Sequence, residues 1–236
     1  LTEAIQEYFN DALNLKFNYT KEGKVRYLGN LDCNISFGSK RDDVLILELA
    51  EDRRNQQFPR SFKLQTYKLK STDHIHIIGY PGGKVLQADL HCPLLMRTDL
   101  ETIHKEKRKY WTEIHKPKRY RLGEDDIESG YKQVKERNDR DFFHASKSTT
   151  HGASGAPGFI VHKNVPVVLV MLVEGYPKFF HNLEDDDQKL TDPKFLVEAG
   201  IPMSRISQLL SQKKLIDLKE DIFKSIDKST IGFIDT

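Results

Sequence analysis

The sequence predicts a mainly β protein of sandwich or barrel type with a helix near its C-terminal end. Two observations predict this class. Apolar residues alternate with polar ones or form short runs, as in residues 44–49 and 165–173, and both patterns are typical of strands. Proline and glycine interrupt these runs, as at residues 81–83 and 155–158, which is what chain reversals between antiparallel strands require.

The elements follow in chain order. Apolar spacing predicts a short helix over residues 1–13, and alternation from Leu15 to Tyr19 predicts the start of a hairpin that turns at residues 21–24. The further predicted strands are residues 34–37, 44–49, 75–78, 85–90, 159–161 and 165–173. Helical spacing returns in residues 204–213 and again around 218–226.

Residues 97–140 differ from the rest of the chain. Lysine and arginine are dense in residues 104–121, around the only tryptophan, Trp111, and acids follow in residues 124–128. Because a core cannot hold so many charges, we expect a long exposed insertion between two strands.

Composition excludes several classes of protein. The chain has 236 residues, with 37 Lys plus Arg against 35 Asp plus Glu, so its net charge is close to zero. This length is sufficient for a hydrophobic core. No apolar run approaches the roughly 20 residues that span a bilayer, and we expect neither a membrane partner nor a signal peptide. Two cysteines, Cys33 and Cys92, cannot form a disulfide framework, so we expect an intracellular location in cytoplasm or nucleus.

The most specific motif is Gly-x-Ser-Gly-x-Pro at residues 152–157. A nucleophilic serine needs a tight turn that exposes its hydroxyl, and flanking glycines allow a substrate to approach the backbone. Ser154 is therefore the candidate nucleophile, and the N–H groups of Gly152 and Ser154 are the candidate oxyanion hole. The alternative is a glycine-rich turn that only joins two strands.

An acid at the head of a strand is the second candidate. Asp43 precedes the apolar run 44–49, in the chain order of the buried carboxylate that orients a catalytic histidine. The alternative is an ordinary turn, in which Asp42 and Asp43 are both common residues.

Together these residues resemble the chymotrypsin-like serine proteases. The resemblance covers nearly the whole chain and is greatest to the intracellular trypsin-like proteases of the animal "family with sequence similarity one hundred eleven". It implies two antiparallel β-barrels, the first incomplete at its N-terminus, followed by a C-terminal helix. The implied domains are residues 1–65, residues 66–215 with the charged insertion 97–140, and a tail over 216–236. It also implies protein substrates, some of them chromatin-bound, and no metal or organic cofactor.

Three departures from the secreted members of this class are visible. Ala153 stands where those enzymes carry the aspartate that pairs with a new N-terminus, and no cysteine lies near Ser154. Residues 1–42 contain no histidine, although the triad requires a general base before Asp43. Because the chain begins at Leu1, we expect the catalytic histidine to lie upstream of this sequence. The alternative is a protease scaffold that has lost its base.

The resemblance also implies a substrate pocket. Its floor lies near Ser148, and its wall includes Leu172, Val173 and Glu174. No acid stands at the floor position, so an apolar or aromatic substrate side chain is expected.

Histidines and basic residues offer other functions. His74 and His76 have a two-residue strand spacing that could suit a metal, but no further ligand accompanies them. His91 beside Cys92 and His151 near Ser154 show no ligand or triad spacing either. Nucleic acid is a candidate partner of the basic segment, whose cations would contact phosphates while aromatic rings stack on bases. The residues concerned are Lys105, Arg108, Lys109, Trp111, Lys116 and Arg119. The alternative is a solvated loop.

Overall fold

The computed structural model describes residues 14–17, 26–30, 33–49, 63–79, 87–114, 122–144, 154–162 and 165–223. The described part is mainly β with a helix near its C-terminal end, as predicted. The chain divides into two compact units, Leu1–Phe62 and Lys63–Thr236. No helix in these described ranges has the length and apolar character needed to cross a membrane. The helix predicted over residues 1–13 lies outside them.

In the described part of the first unit, four strands form two antiparallel pairs. Strand β1 (Asn14–Phe17) pairs with β2 (Arg26–Asn30), and β3 (Cys33–Ser39) pairs with β4 (Val44–Leu49). A turn over residues 40–43 joins the second pair. The strand predicted at 44–49 is confirmed.

The described part of the second unit contains a seven-stranded sheet. Six strands lie in the order β7, β6, β9, β10, β11, β8, and each pairs antiparallel with its neighbour. The short β5 pairs with β10 in parallel. The bounds are β5 (Lys63–Leu64), β6 (His74–Gly79), β7 (Gln87–Pro93), β8 (Asp141–His144), β9 (Pro157–His162), β10 (Val165–Tyr176) and β11 (Val197–Pro202).

The two ends of this sheet meet. A bridge joins Leu94, just after β7, to Phe143 in β8, and the Leu95 N–H donates to the Phe142 carbonyl oxygen at 2.7 Å. The sheet therefore curls back on itself around an apolar interior. The core residues come from most of its strands and include Ile75, Ile77, Phe143, Val167, Leu169, Val170 and Leu172. Burial of such side chains is the main stabilising term.

The charged insertion lies between β7 and β8, and most of its described residues are exposed, as expected. It is nevertheless helical, and its aromatic side chains are packed. It forms α1 (Arg97–Lys109), a π-helical turn (Tyr110–Ile114), α2 (Glu124–Gly130) and α3 (Lys132–Glu136). Trp111 is 1% exposed, and its Nε1–H donates to Tyr131 Oη at 3.0 Å. The Tyr131 hydroxyl in turn donates to the Phe195 carbonyl oxygen at 2.6 Å. Aromatic rings at a few positions thus anchor helices whose other residues are mostly charged.

The remaining helices follow the sheet. Short 3₁₀ turns (Phe180–Asn182 and Pro193–Phe195) flank α4 (Asp185–Leu190) before β11. Helix α5 (Met203–Gln212) buries Ile206, Leu209 and Leu210 on one face, as the helical spacing predicted. Helix α6 (Ile216–Ile222) ends the described chain.

Candidate functional site

The site begins with the turn before β9, where Ser154 is exposed. Its Oγ donates a hydrogen bond to the Val173 carbonyl oxygen at 2.9 Å. The next residue, Gly155, has φ +87°, and a Cβ built there would meet no atom within 4 Å. Backbone conformation, rather than lack of space, therefore requires a glycine at this position.

Two main-chain hydrogen bonds hold this turn against β10. The Gly155 N–H donates to the Leu172 carbonyl oxygen at 2.7 Å, and the Leu172 N–H donates to the Ala156 carbonyl oxygen at 2.9 Å. The structure thus brings together the predicted nucleophile and two residues of the predicted pocket wall. Gly152, Ser148 and His151 lie outside the described residues, so the second donor of the oxyanion hole and the pocket floor stay predictions.

The three predicted wall residues differ in their surroundings. The Leu172 side chain belongs to the core, so it is the main chain of Leu172 that meets the serine turn. Val173 is also buried, whereas Glu174 is partly buried and forms an ion pair with Lys178. Burial opposes ionisation of Glu174, but hydrogen bonds from Lys178 and Tyr176 outweigh it and hold its pKa below the ordinary value.

A second acid beside this wall was not predicted. Glu198 in β11 is 8% exposed and pairs in register with Gly175 in β10. A Cβ built on Gly175 would lie 3.1 Å from Glu198 Oε1, so the missing side chain makes room for the carboxylate. Two features of the sequence could have indicated this acid: Glu198 is the single acid within the apolar run of residues 196–201, and Gly175 is a glycine within the apolar strand β10.

The structure does not bury Asp43. Asp43 is exposed in the 40–43 turn at φ +56°, a backbone region that aspartate tolerates better than most residues. The buried acid is its neighbour Asp42, 2% exposed, which accepts a hydrogen bond from Ser39 Oγ at 2.7 Å. Turn geometry explains the difference, because the carboxylate of Asp42 reaches back to the serine that starts the turn. Asp43 belongs to the first unit and Ser154 to the second.

The base-stacking role predicted for Trp111 is wrong, because its ring is buried. Arg108, predicted to contact phosphate, forms an ion pair with Glu124. Lys105 and Lys109 are exposed on α1. Lys116 and Arg119 lie outside the described residues.

The histidines that the structure describes do not assemble a metal centre. Within the described ranges, no group of three or more histidine, cysteine, aspartate or glutamate side chains has metal-binding geometry. His76 Nδ1 accepts a hydrogen bond from the His91 N–H at 3.3 Å, and the two rings lie 4.8 Å apart. Burial and the neighbouring His91 both lower the pKa of His76, which keeps that ring neutral.

The thiol of Cys92 is equally unsuited to chemistry. It is a buried free cysteine, and burial raises its pKa to about 12. Because the thiolate is the reactive form, this cysteine is inert near neutral pH.

Comparison with known proteins adds no assignment to this geometry. The chain matches no protein-family model and no curated protein sequence.

Proposed function

We propose that this chain is the larger part of an intracellular serine endopeptidase that cleaves protein substrates through an acyl-enzyme on Ser154. The observation that carries the proposal is the Ser154 turn, an exposed serine beside a left-handed glycine, held to β10 by main-chain hydrogen bonds. This arrangement leaves the serine accessible, as a nucleophile requires.

The finer fold is part of the same proposal. We infer two antiparallel barrels, one in each unit. Six antiparallel strands in the second unit and the bridge from Leu94 to Phe143 support a barrel there. The two hairpins of the first unit supply strands for the other barrel.

In the proposed reaction, Ser154 Oγ attacks the carbonyl carbon of the scissile bond while a histidine accepts its proton. The resulting oxyanion is stabilised by the N–H groups of Ser154 and Gly152. The histidine then protonates the leaving amine, and water hydrolyses the ester. Because residues 1–42 contain no histidine, we propose that this base lies upstream of Leu1 and that Asp43 orients it. Forming the Ser154–histidine hydrogen bond requires the hydroxyl to turn away from the Val173 carbonyl.

The alternative is a protease-fold interaction module without catalytic activity. One observation favours it, since the Ser154 hydroxyl donates to a main-chain oxygen, which is too weak a base to activate it. The exposure of Asp43 is a second observation that favours the interaction module. In this alternative the exposed lysines of α1 are available for nucleic acid. Titration with a fluorescent single-stranded oligonucleotide at low salt tests whether the module binds nucleic acid. Absence of binding would exclude the nucleic-acid-binding module.

A fluorophosphonate probe distinguishes enzyme from module, because it reacts only with an activated serine. The chain should be treated alone and preceded by its natural upstream sequence. We expect labelling of the longer protein, its loss in Ser154→Ala, and unchanged labelling in Ser129→Ala, which alters an exposed serine of α2. No labelling of the longer protein would overturn the enzyme proposal and leave the module.

A further inference from the structure

A pocket of about 510 Å³ opens in the second unit between α1, strand β8 and the segments that follow β7 and α3. Its volume lies within the range of roughly 300–1,000 Å³ typical of small-molecule sites. Ser154 is not among its lining residues, and the proposed peptidase activity does not use it.

The lining combines an apolar interior with basic groups. Leu69, Leu95, Ile103 and Phe142 are each less than 9% exposed and contribute apolar surface to the pocket. An apolar ligand group placed against them gains the free energy of leaving water.

The charged lining residues are predominantly positive. Five are lysine or arginine and two are acids. The acids are Glu101, which pairs with Arg97 at 3.3 Å, and Asp141 in β8. Arg137 is held by Asp139, with its Nε 2.8 Å from Asp139 Oδ1. Lys68 and Lys105 are exposed, so their ammonium groups can reach a ligand without loss of packing.

We propose that this pocket binds an amphipathic monocarboxylate of the fatty-acid type, with its chain on the apolar interior and its carboxylate at the basic groups. The apolar lining requires a long hydrocarbon part, and the positive excess favours an anionic end. A single negative charge fits better than two, because Glu101 and Asp141 oppose further negative charge.

The chain contains its own reporter of this pocket. Trp111 is the only tryptophan, and its Nε1–H donates to the hydroxyl of Tyr131, whose side chain is part of the lining. A ligand that changes the surroundings of Tyr131 therefore changes the tryptophan emission.

The test titrates the chain with dodecanoate below its micelle concentration, following tryptophan emission and heat of binding. We expect saturable binding that weakens about tenfold in Lys68→Gln/Lys105→Gln, which corresponds to the loss of roughly 1.4 kcal/mol of charge-assisted interaction. Lys109→Gln is the matched control, since Lys109 is exposed on α1 but does not line the pocket. Asp141→Asn removes an opposing charge and should tighten binding.

Each other outcome overturns a stated part of the proposal. Absence of saturable binding in both measurements rejects the pocket as a ligand site. Equal affinity for dodecanol rejects the role of the carboxylate. Equal weakening by Lys109→Gln and by the double variant rejects this location. Ser154→Ala should bind dodecanoate normally, so failure of the peptidase proposal leaves this one testable.

Discussion

The serine turn and the charged insertion of the second unit differ in what stabilises each of them. Gly155 adopts φ +87°, and the hydrogen bonds of its turn go to β10, less than twenty residues further along the chain. The insertion instead depends on contacts between Trp111, Tyr131 and Phe195, the last of which lies 64 residues beyond Tyr131. A short sequence motif determines the local backbone conformation of the turn. Packing of a charged helix depends instead on residues that are distant in the sequence.

Removing the anchor of the insertion should have the largest effect. Trp111→Ala deletes a ring that is 1% exposed and leaves the Tyr131 hydroxyl without its indole donor. We expect the free energy of unfolding to fall by about 3–5 kcal/mol in urea denaturation. Lys109→Ala, on the exposed face of α1, is the control. A loss below about 1 kcal/mol for Trp111→Ala would show that the insertion does not depend on this packing.

Two acids near the end of the insertion should respond to pH in opposite directions. Burial raises the pKa of Asp141 from 3.8 to about 6, so its ionised form costs stability above pH 6 and this cost is absent below pH 3.8. Asp141→Asn should therefore stabilise the fold at pH 7.5 by up to about 3 kcal/mol, and the gain should disappear near pH 3.5.

Asp139 supplies the matched comparison. Burial opposes ionisation of Asp139, but the hydrogen bond and positive charge of Arg137 outweigh this effect and hold the pKa of Asp139 below its ordinary value. Its ionised form therefore stabilises the fold at neutral pH, and this contribution is lost as the pH falls through its lowered pKa. Asp139→Asn should destabilise at pH 7.5, with a smaller loss in acid. Equal responses of the two variants across pH would contradict the assigned environments.

The buried lysine of α1 gives a smaller effect. Lys107 is 1% exposed at its side chain, and its Nζ lies 2.8 Å from Glu128 Oε2. The hydrogen bond from Lys107 lowers the pKa of Glu128. The Glu128 side chain is 56% exposed, so water screens part of the interaction. Glu128→Gln should cost about 1–2 kcal/mol because it leaves the buried ammonium group poorly compensated, while Lys107→Met, which removes the charge, should cost less. The reverse order in urea denaturation would contradict this explanation.

Exposed pairs of the same insertion should matter least. Arg97 pairs with Glu101 at 3.3 Å, but the side chains are 94% and 57% exposed. Arg97→Gln should change the free energy of unfolding by less than about 0.5 kcal/mol. A larger change would mean that charge, rather than aromatic packing, stabilises these helices.

Much of the sheet could be predicted from the sequence. The runs at 44–49 and 165–173 fall within β4 and β10, because alternation and turn residues are local signals. Helices α1 to α3 could not be predicted from the sequence. In α1, for example, only Ile103 and Lys107 are buried, so the helix has no apolar stripe that would indicate it. Strand β8 was not predicted either, because it is only four residues long and directly follows charged residues.

The candidate site was predictable to a similar extent. The motif around Ser154 predicted a tight glycine turn. This was possible because the positive φ of Gly155, +87°, depends on that residue itself and not on distant contacts. Burial of Asp43 was a wrong expectation, since the choice between Asp42 and Asp43 depends on the hydrogen bond to Ser39. Glu198 was missed because its neighbour Gly175 is 23 residues earlier in the chain and no local pattern joins them.

The endopeptidase proposal requires that Ser154 form a covalent acyl intermediate. The most direct measurement is peptide mapping by mass spectrometry after the protein, preceded by its natural upstream sequence, is mixed with an activated acyl ester and quenched in acid. We expect an acyl adduct on the peptide that contains Ser154, and none in Ser154→Ala. An unmodified Ser154 peptide, or an adduct that persists in Ser154→Ala, would contradict it.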